Sequence, residues 1–139
     1  MIYVMFDGLV LGELYISDTK KLRFKKDEGI EDCWLPMFLR FTADMHDKDV
    51  DLYSIYFKWL EERVIPPNRM GIKKVLKMFN MKEYDVLELA RKTNASLMTD
   101  PYWLAYNETD CFSKNSLRGL YENDPNPLGL DKEKYRWKI

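Results

Sequence analysis

A chain of 139 residues, 46% hydrophobic and 14% aromatic, can bury one respectable core and is too apolar for an intrinsically disordered segment. Its formal net charge of -1, from 22 basic and 23 acidic residues, argues against a dedicated non-specific DNA binder. No apolar run approaches the roughly 18 residues of a membrane span, and the opening residues lack the basic region of a signal peptide; the cytoplasm is the expected location.

Ile2–Phe6 and Leu9–Ile16 read as two strands, the second interrupted by Gly12 and Glu13. Asp7-Gly8 between them is the signature of a two-residue type I′ hairpin, which needs positive φ at both central positions. Ser17-Asp18-Thr19 makes the next turn, and residues 21–25 alternate charged and apolar groups at period two. A three-stranded antiparallel meander follows, with Lys21, Arg23 and Lys25 on its solvated face. Trp34 to Leu39 is strongly apolar, but Pro36 argues against a central strand, so an edge strand or irregular segment is expected.

A helical half begins near Asp49. Leu52, Ile55, Tyr56, Trp59 and Leu60 form a full amphipathic stripe. Tyr53, Phe57 and Val64 widen it past half the circumference, which suits a central helix or one with a second face covered by a partner. Pro66-Pro67 terminates it. Asn68 is the expected N-cap of a second helix buried through Ile72, Val75, Leu76 and Phe79, and Asn80 suits a left-handed C-terminal position. A third helix over residues 84–92 turns Val86, Leu87, Leu89 and Ala90 inward. Tyr102, Trp103, Leu104 and Tyr106 form an extended aromatic segment, residues 122–130 are turn-rich, and residues 131–139 are strand-like without an obvious sheet partner.

The pattern predicts an α+β fold: an N-terminal antiparallel meander packed on a small three-helix lobe. One domain spans residues 1–121, with a β-rich sub-lobe over 1–45 and a helical sub-lobe over 49–106. Residues 122–139 form a flexible or partner-dependent tail.

No nucleophile elbow, phosphate loop or metal cluster is present. Asp47, Asp49 and Asp51 open like a calcium loop, but Leu52 and Lys58 stand where the loop needs glycine and glutamate. His46, the single histidine, has no evident partner for acid–base work. No metal, cofactor or catalytic activity is expected. Cys33 and Cys111, each beside an aromatic residue, read as small buried hydrophobes in a reducing setting. Arg69 and Asp100 lie in apolar neighbourhoods where an unpaired charge is costly, so a pairing between them, or of Asp100 with a helix N-terminus, is expected. Arg69 also suits anchoring an acidic group on a partner. The abundance of Tyr, Trp and Phe points to a contact surface carried by Tyr53, Phe57, Tyr135 and Trp137.

Arg63, Ile65, Pro66, Arg69, Gly71 and Ile72 match an R-x-I-P-x-x-R-x-G-I segment, and Leu97, Asp100, Tyr102, Trp103 and Leu104 follow an L-S-L-x-D-x-Y-W-I motif, with Ser96-Leu97-Met98-Thr99 in place of the usual lead-in and Leu104 in place of isoleucine. With Phe112-Ser113 and the strand-like 134–139, the chain resembles the N-terminal, non-catalytic portion of HipA-like serine/threonine kinases, in the variant of Gram-positive gut bacteria and mobile elements. The resemblance implies that Pro66, Asp100, Tyr102 and Trp103 are structural and that the kinase residues lie beyond this segment. It also implies a lobe that contacts antitoxin partners or a kinase body. The expected function is therefore direct binding to a partner protein as inhibitor or regulator, antitoxin-like against a HipA-like kinase. An anti-CRISPR-like inhibitor of a host defence nuclease, from a phage or mobile element, is one alternative; a DNA-binding accessory protein is another.

Overall fold

The computed structural model describes residues 1–40 and 52–139. The acidic run with Asp47, Asp49 and Asp51, the histidine at 46 and the expected start of the first long helix lie outside the described residues.

The meander forms as its pattern predicts: β1 (Ile2–Phe6), β2 (Leu9–Ile16) and β3 (Leu22–Lys26) pair antiparallel in sequence. A fourth strand, β4 (Tyr102–Ala105), adds antiparallel to the free edge of β1, giving the order β3-β2-β1-β4. This strand is the aromatic segment of the sequence. The fold is therefore α+β, with a four-stranded antiparallel sheet.

Alternation of side chains makes the sheet two-faced. Ile2, Val4, Leu9, Leu11, Leu14 and Leu104 belong to one buried cluster, and Tyr3, Met5, Val10, Trp103 and Ala105 to a second. In β2 the inward spacing lengthens from Leu9 and Leu11 to Leu14, where a bulge falls: Val10 pairs with Met5 but Gly12 pairs with Val4. Gly12 is required there, because a Cβ would sit 2.4 Å from the Lys25 carbonyl oxygen and 2.7 Å from the Phe24 ring. At the β1–β2 turn only Asp7 adopts positive φ (46°), so a type I′ turn does not form. Gly8 is needed for space instead, since its Cβ would meet Pro125 at 2.9 Å.

The first cluster is covered by helices. The Trp34–Leu39 segment is a 3-10 turn (Asp32–Trp34) followed by α1 (Met37–Arg40), not an edge strand. Pro36 lacks an N–H to lose at a helix start, and its carbonyl accepts from Leu39 at 2.9 Å. The long helix α2 (Leu52–Glu61) lays Tyr56 and Leu60 on the sheet and ends before the prolines. Just past its end the Arg63 side chain turns into the core, while Pro66 stays exposed in the loop beyond. The next helix, α3 (Ile72–Met78), is capped by Gly71 at φ 80° and not by Asn68, and it buries no residue fully. Asn80 takes the expected left-handed conformation at φ 57°. α4 (Val86–Thr93) is N-capped by Asp85, whose side chain accepts from the Glu88 N–H, and it buries Leu89 and Ala90 while Leu87 remains exposed. Tyr84 ties the proline loop to this helix by donating to the Ile65 carbonyl at 2.7 Å.

The second cluster is closed by α5 (Phe112–Asn115) and α6 (Leu117–Leu120), with Phe112 inserted beside Trp103 and Met5. These two short helices meet across Gly119, whose Cβ would lie 1.8 Å from the Phe112 carbonyl oxygen. Gly119→Ala is expected to lower stability by about 1–3 kcal/mol, because backbone and not a movable side chain must give way. A fall in the urea midpoint at unchanged slope is the measurement that checks it.

Residues 122–139 run back along the sheet. β3 stops opposite Gly12, and this leaves the outer edge of β2 open at its beginning. The tail fills that place: Trp137 bridges Leu9, the Val10 N–H donates to the Arg136 carbonyl at 2.9 Å, and the Lys138 N–H donates to the Gly8 carbonyl at 2.8 Å. Arg136 adds a bidentate pair with Asp27 at 2.6 Å and a 3.2 Å contact to Glu13. No helix among the described residues is long and apolar enough to cross a membrane.

Candidate functional site

On α2, Tyr53 and Phe57 are one helical turn apart, so both fall beside the buried stripe of Tyr56 and Leu60 and not under it. Their rings are half-buried, with centroids 6.4 Å apart, and Tyr53 also packs on Tyr56 at 6.0 Å. Burial pushes the Tyr56 hydroxyl up to about 12, so this inner ring stays neutral.

Facing them is the β2–β3 turn. It is closed by Ser17, whose N–H donates to the Lys21 carbonyl and whose Oγ accepts from the Lys21 N–H at 3.0 Å. Lys20 takes the left-handed conformation at φ 60°, and its Nζ lies 5.8 Å from the Tyr53 ring centre. Such a contact contributes about 0.5–1 kcal/mol at an exposed site. Together these elements enclose an open groove of about 1010 Å³. Lys20, Lys21 and Arg23 form its basic wall, Tyr53 and Phe57 its aromatic wall, and Leu87 of α4 and Glu61 contribute at its margin. All three cations are exposed, Lys20 and Lys21 in the turn and Arg23 in β3.

The other residues expected at a contact surface do not join this groove. Tyr135 and Trp137 belong to the tail: Tyr135 packs edge-on to Trp34 at 6.1 Å and lies over Gly29, while Trp137 seats on Leu9. Both are half-buried within the fold, and the Trp137 Nε1 is buried without an acceptor among the described residues. Arg69 is exposed and lines a second groove with Pro66.

Arg69 does not pair with Asp100. Arg63 does, through a planar fork: Nη1 to Oδ2 at 2.6 Å and Nη2 to Oδ1 at 2.7 Å. The same guanidinium donates to the Ala95 carbonyl and the Tyr102 carbonyl, both at 2.6 Å, and stacks 4.4 Å from the Trp59 ring. Asp100 also accepts from the Tyr102 N–H at 3.0 Å. Tyr102 donates its hydroxyl to the Trp34 carbonyl at 2.9 Å, and the buried Trp103 donates Nε1 to the Asp7 carbonyl at 2.8 Å. The Asp7 carboxylate is itself fully buried against Arg118 at 2.8 Å; burial raises it above the ordinary carboxylate range, and Arg118 opposes the shift.

Cys33, in the 3-10 turn, is exposed and Cys111, the N-cap of α5, is half-exposed, against the buried positions expected of them; both are free thiols. Among the described residues no group of three or more His, Cys, Asp or Glu side chains is placed to hold a metal ion. Compared with protein-family models, with curated proteins and with solved structures, the chain matches none.

The sequence reading missed Lys20 and Leu87 as partners of Tyr53 and Phe57. Lys20 carried one signal, its place in a tight turn next to a strand of exposed cations. Leu87 carried none, since its exposure follows from how α4 is rotated against α2.

Proposed function

We propose that this protein is a non-catalytic binding module that inhibits or regulates a partner protein by receiving one of its acidic segments in the Tyr53–Phe57 groove. The observation that carries this reading is the facing of two half-buried rings by Lys20, Lys21 and Arg23 across an open groove. Rings of this kind supply contact area at low entropic cost, and the cations select carboxylates and speed encounter. The resemblance to the N-terminal portion of HipA-like kinases supplies the partner class, a HipA-like kinase neutralised in the manner of an antitoxin. A host defence nuclease is the alternative partner.

A nucleic-acid reading draws on the same three cations. The leucines in the groove favour a protein segment, because a phosphate backbone gains nothing from apolar walls.

The test is capture of partners from host lysate by the tagged protein, followed by titration of the recovered partner against Tyr53→Ala/Phe57→Ala. Loss of about 2 kcal/mol or more, roughly thirtyfold in affinity, is the expected result for a hot-spot pair. Unchanged affinity in a variant that keeps its circular dichroism sinks the groove assignment. Recovery of duplex DNA with a steep salt dependence, and no protein, sinks the protein-binding reading itself.

A further inference from the structure

The loop after α2, the end of α3, the last turn of α4 and the α5–α6 pair converge on a second groove, of about 510 Å³, on a different part of the surface from the Tyr53–Phe57 groove. Its floor is apolar, built from Ile65, Phe79, Leu97, Leu117 and Leu120, and Leu120 remains 56% exposed. Arg69, Lys92 and Lys114 stand around it against a single carboxylate, Glu62. None of these three cations has an ion-pair partner among the described residues. The dipole of α4 accounts for Lys92 in its last turn, but Arg69, in the loop before α3, has no such account.

The geometry points to a second docking site, for a short amphipathic segment of another protein that presents apolar side chains to the floor and carboxylates to Arg69, Lys92 and Lys114. Charge complementarity selects this occupant. A groove of this size falls in the range of about 300–1,000 Å³ typical of ligand sites. Its rim carries an excess of unpaired positive charge, and its floor offers one aromatic ring, too few for the stacking platform that single-stranded nucleic acid uses. Lysine and arginine around an apolar floor match an acidic amphipathic helix, which lays its apolar face in the groove and its charged flanks on the rim. One side of the groove is the turn that carries Arg63, whose side chain is anchored to the Ala95 carbonyl.

The experiment is a titration of the isotopically labelled full chain, followed by backbone amide NMR, with a designed amphipathic helical peptide of leucine and glutamate. The same peptide with lysine for every glutamate and an oligothymidylate are the comparison probes. The expected result is shift changes centred on Ile65, Phe79, Leu97 and Leu117, with affinity for the acidic peptide at least about tenfold above that for its basic counterpart. The triple variant Arg69→Glu/Lys92→Glu/Lys114→Glu is expected to reverse that preference. Leu120→Glu is expected to abolish acidic-peptide binding while leaving the rest of the spectrum in place. All four positions are exposed, so the fold is retained in both variants. Equal affinity for the two peptides, no binding of the acidic one, or shifts that map to Tyr53 and Phe57 with none at Ile65, Phe79, Leu97 and Leu117 would each overturn the assignment. Displacement of the peptide by the oligothymidylate at the same amides would overturn it in favour of nucleic acid.

Discussion

Arg63→Ala is expected to lower the unfolding free energy by about 2–5 kcal/mol, mainly the cost of leaving two carbonyls without their donor, since the Asp100 side chain is 32% exposed and less penalised. A domain of this kind is stabilised by only about 5–15 kcal/mol in total, so the variant should unfold at far lower urea or be recovered only in part. The size of the effect follows from what the guanidinium holds. It is 6% exposed and joins three separate pieces of chain: the Ala95 carbonyl after α4, the Asp100 carboxylate, and the Tyr102 carbonyl at the start of β4. Removing it strands two carbonyls and a carboxylate at once and takes a stacked cation from Trp59. Arg63→Lys is expected to lose most of the same stability, because a single ammonium cannot reproduce a planar fork plus two further donors. Arg69→Ala, in the loop further along the chain and exposed, is expected to stay within about 0.5 kcal/mol. Urea unfolding followed by tryptophan fluorescence compares the three variants directly. Equal losses for Arg63→Ala and Arg69→Ala would contradict the assignment of Arg63 as the hub.

Trp103→Ala is expected to cost about 3–5 kcal/mol, the range for emptying a buried large aromatic site. The side chain is 0% exposed and lies in the cluster that seals the outer face of the sheet with Met5, Val10 and Phe112. It also fixes the β1–β2 turn, since its Nε1 donates to the carbonyl of Asp7, the residue held at positive φ. Trp103→Phe separates the two contributions. It keeps most of the apolar volume and deletes the donor, so about 1–3 kcal/mol is expected from the carbonyl left unsatisfied. A phenylalanine variant as unstable as the alanine one would show that the indole bond, and not the volume, carries the effect.

The two predictions mark where the sequence could be read and where it could not. Asp100, Tyr102 and Trp103 stood out as a motif, and each occupies a specific structural position. The pattern pairs Asp100 with Arg69 or a helix N-terminus, whereas the structure pairs it with Arg63. Arg63 and Arg69 are both flanked by apolar residues, and only the route of the chain decides between them. After Glu61 the helix ends, and Arg63 is carried inward while Arg69 is carried out over the prolines. Proline chemistry correctly placed a helix end in this region, but the end was drawn too late, because a proline sets the last residue a helix can reach and not where packing stops it.

The candidate groove was half legible. The spacing of Tyr53 and Phe57 put both rings on one side of α2, outside the core stripe. Tyr135 and Trp137 showed the same aromatic excess and were grouped with them, yet they face the sheet and the Trp34 segment. Aromatic content alone does not say which rings the tertiary fold will cover. The tail was likewise strand-like in pattern with no visible partner, because the open stretch of β2 exists only once β3 has stopped at Gly12.

By itself the sequence determined what depends on neighbours along the chain: the strands of the meander, the place though not the type of the two-residue turn at Asp7-Gly8, and the main apolar stripe of α2. These follow from backbone sterics and side-chain periodicity over a few residues. Only the tertiary structure decided the docking of β4 on β1, the choice of Arg63 for Asp100, the bulge at Gly12 and the facing of Lys20 against Tyr53. Each of these joins residues distant in sequence, and no local pattern encodes such a choice, because it is made by the mutual packing of elements and by the requirement that every buried charge and carbonyl find a partner.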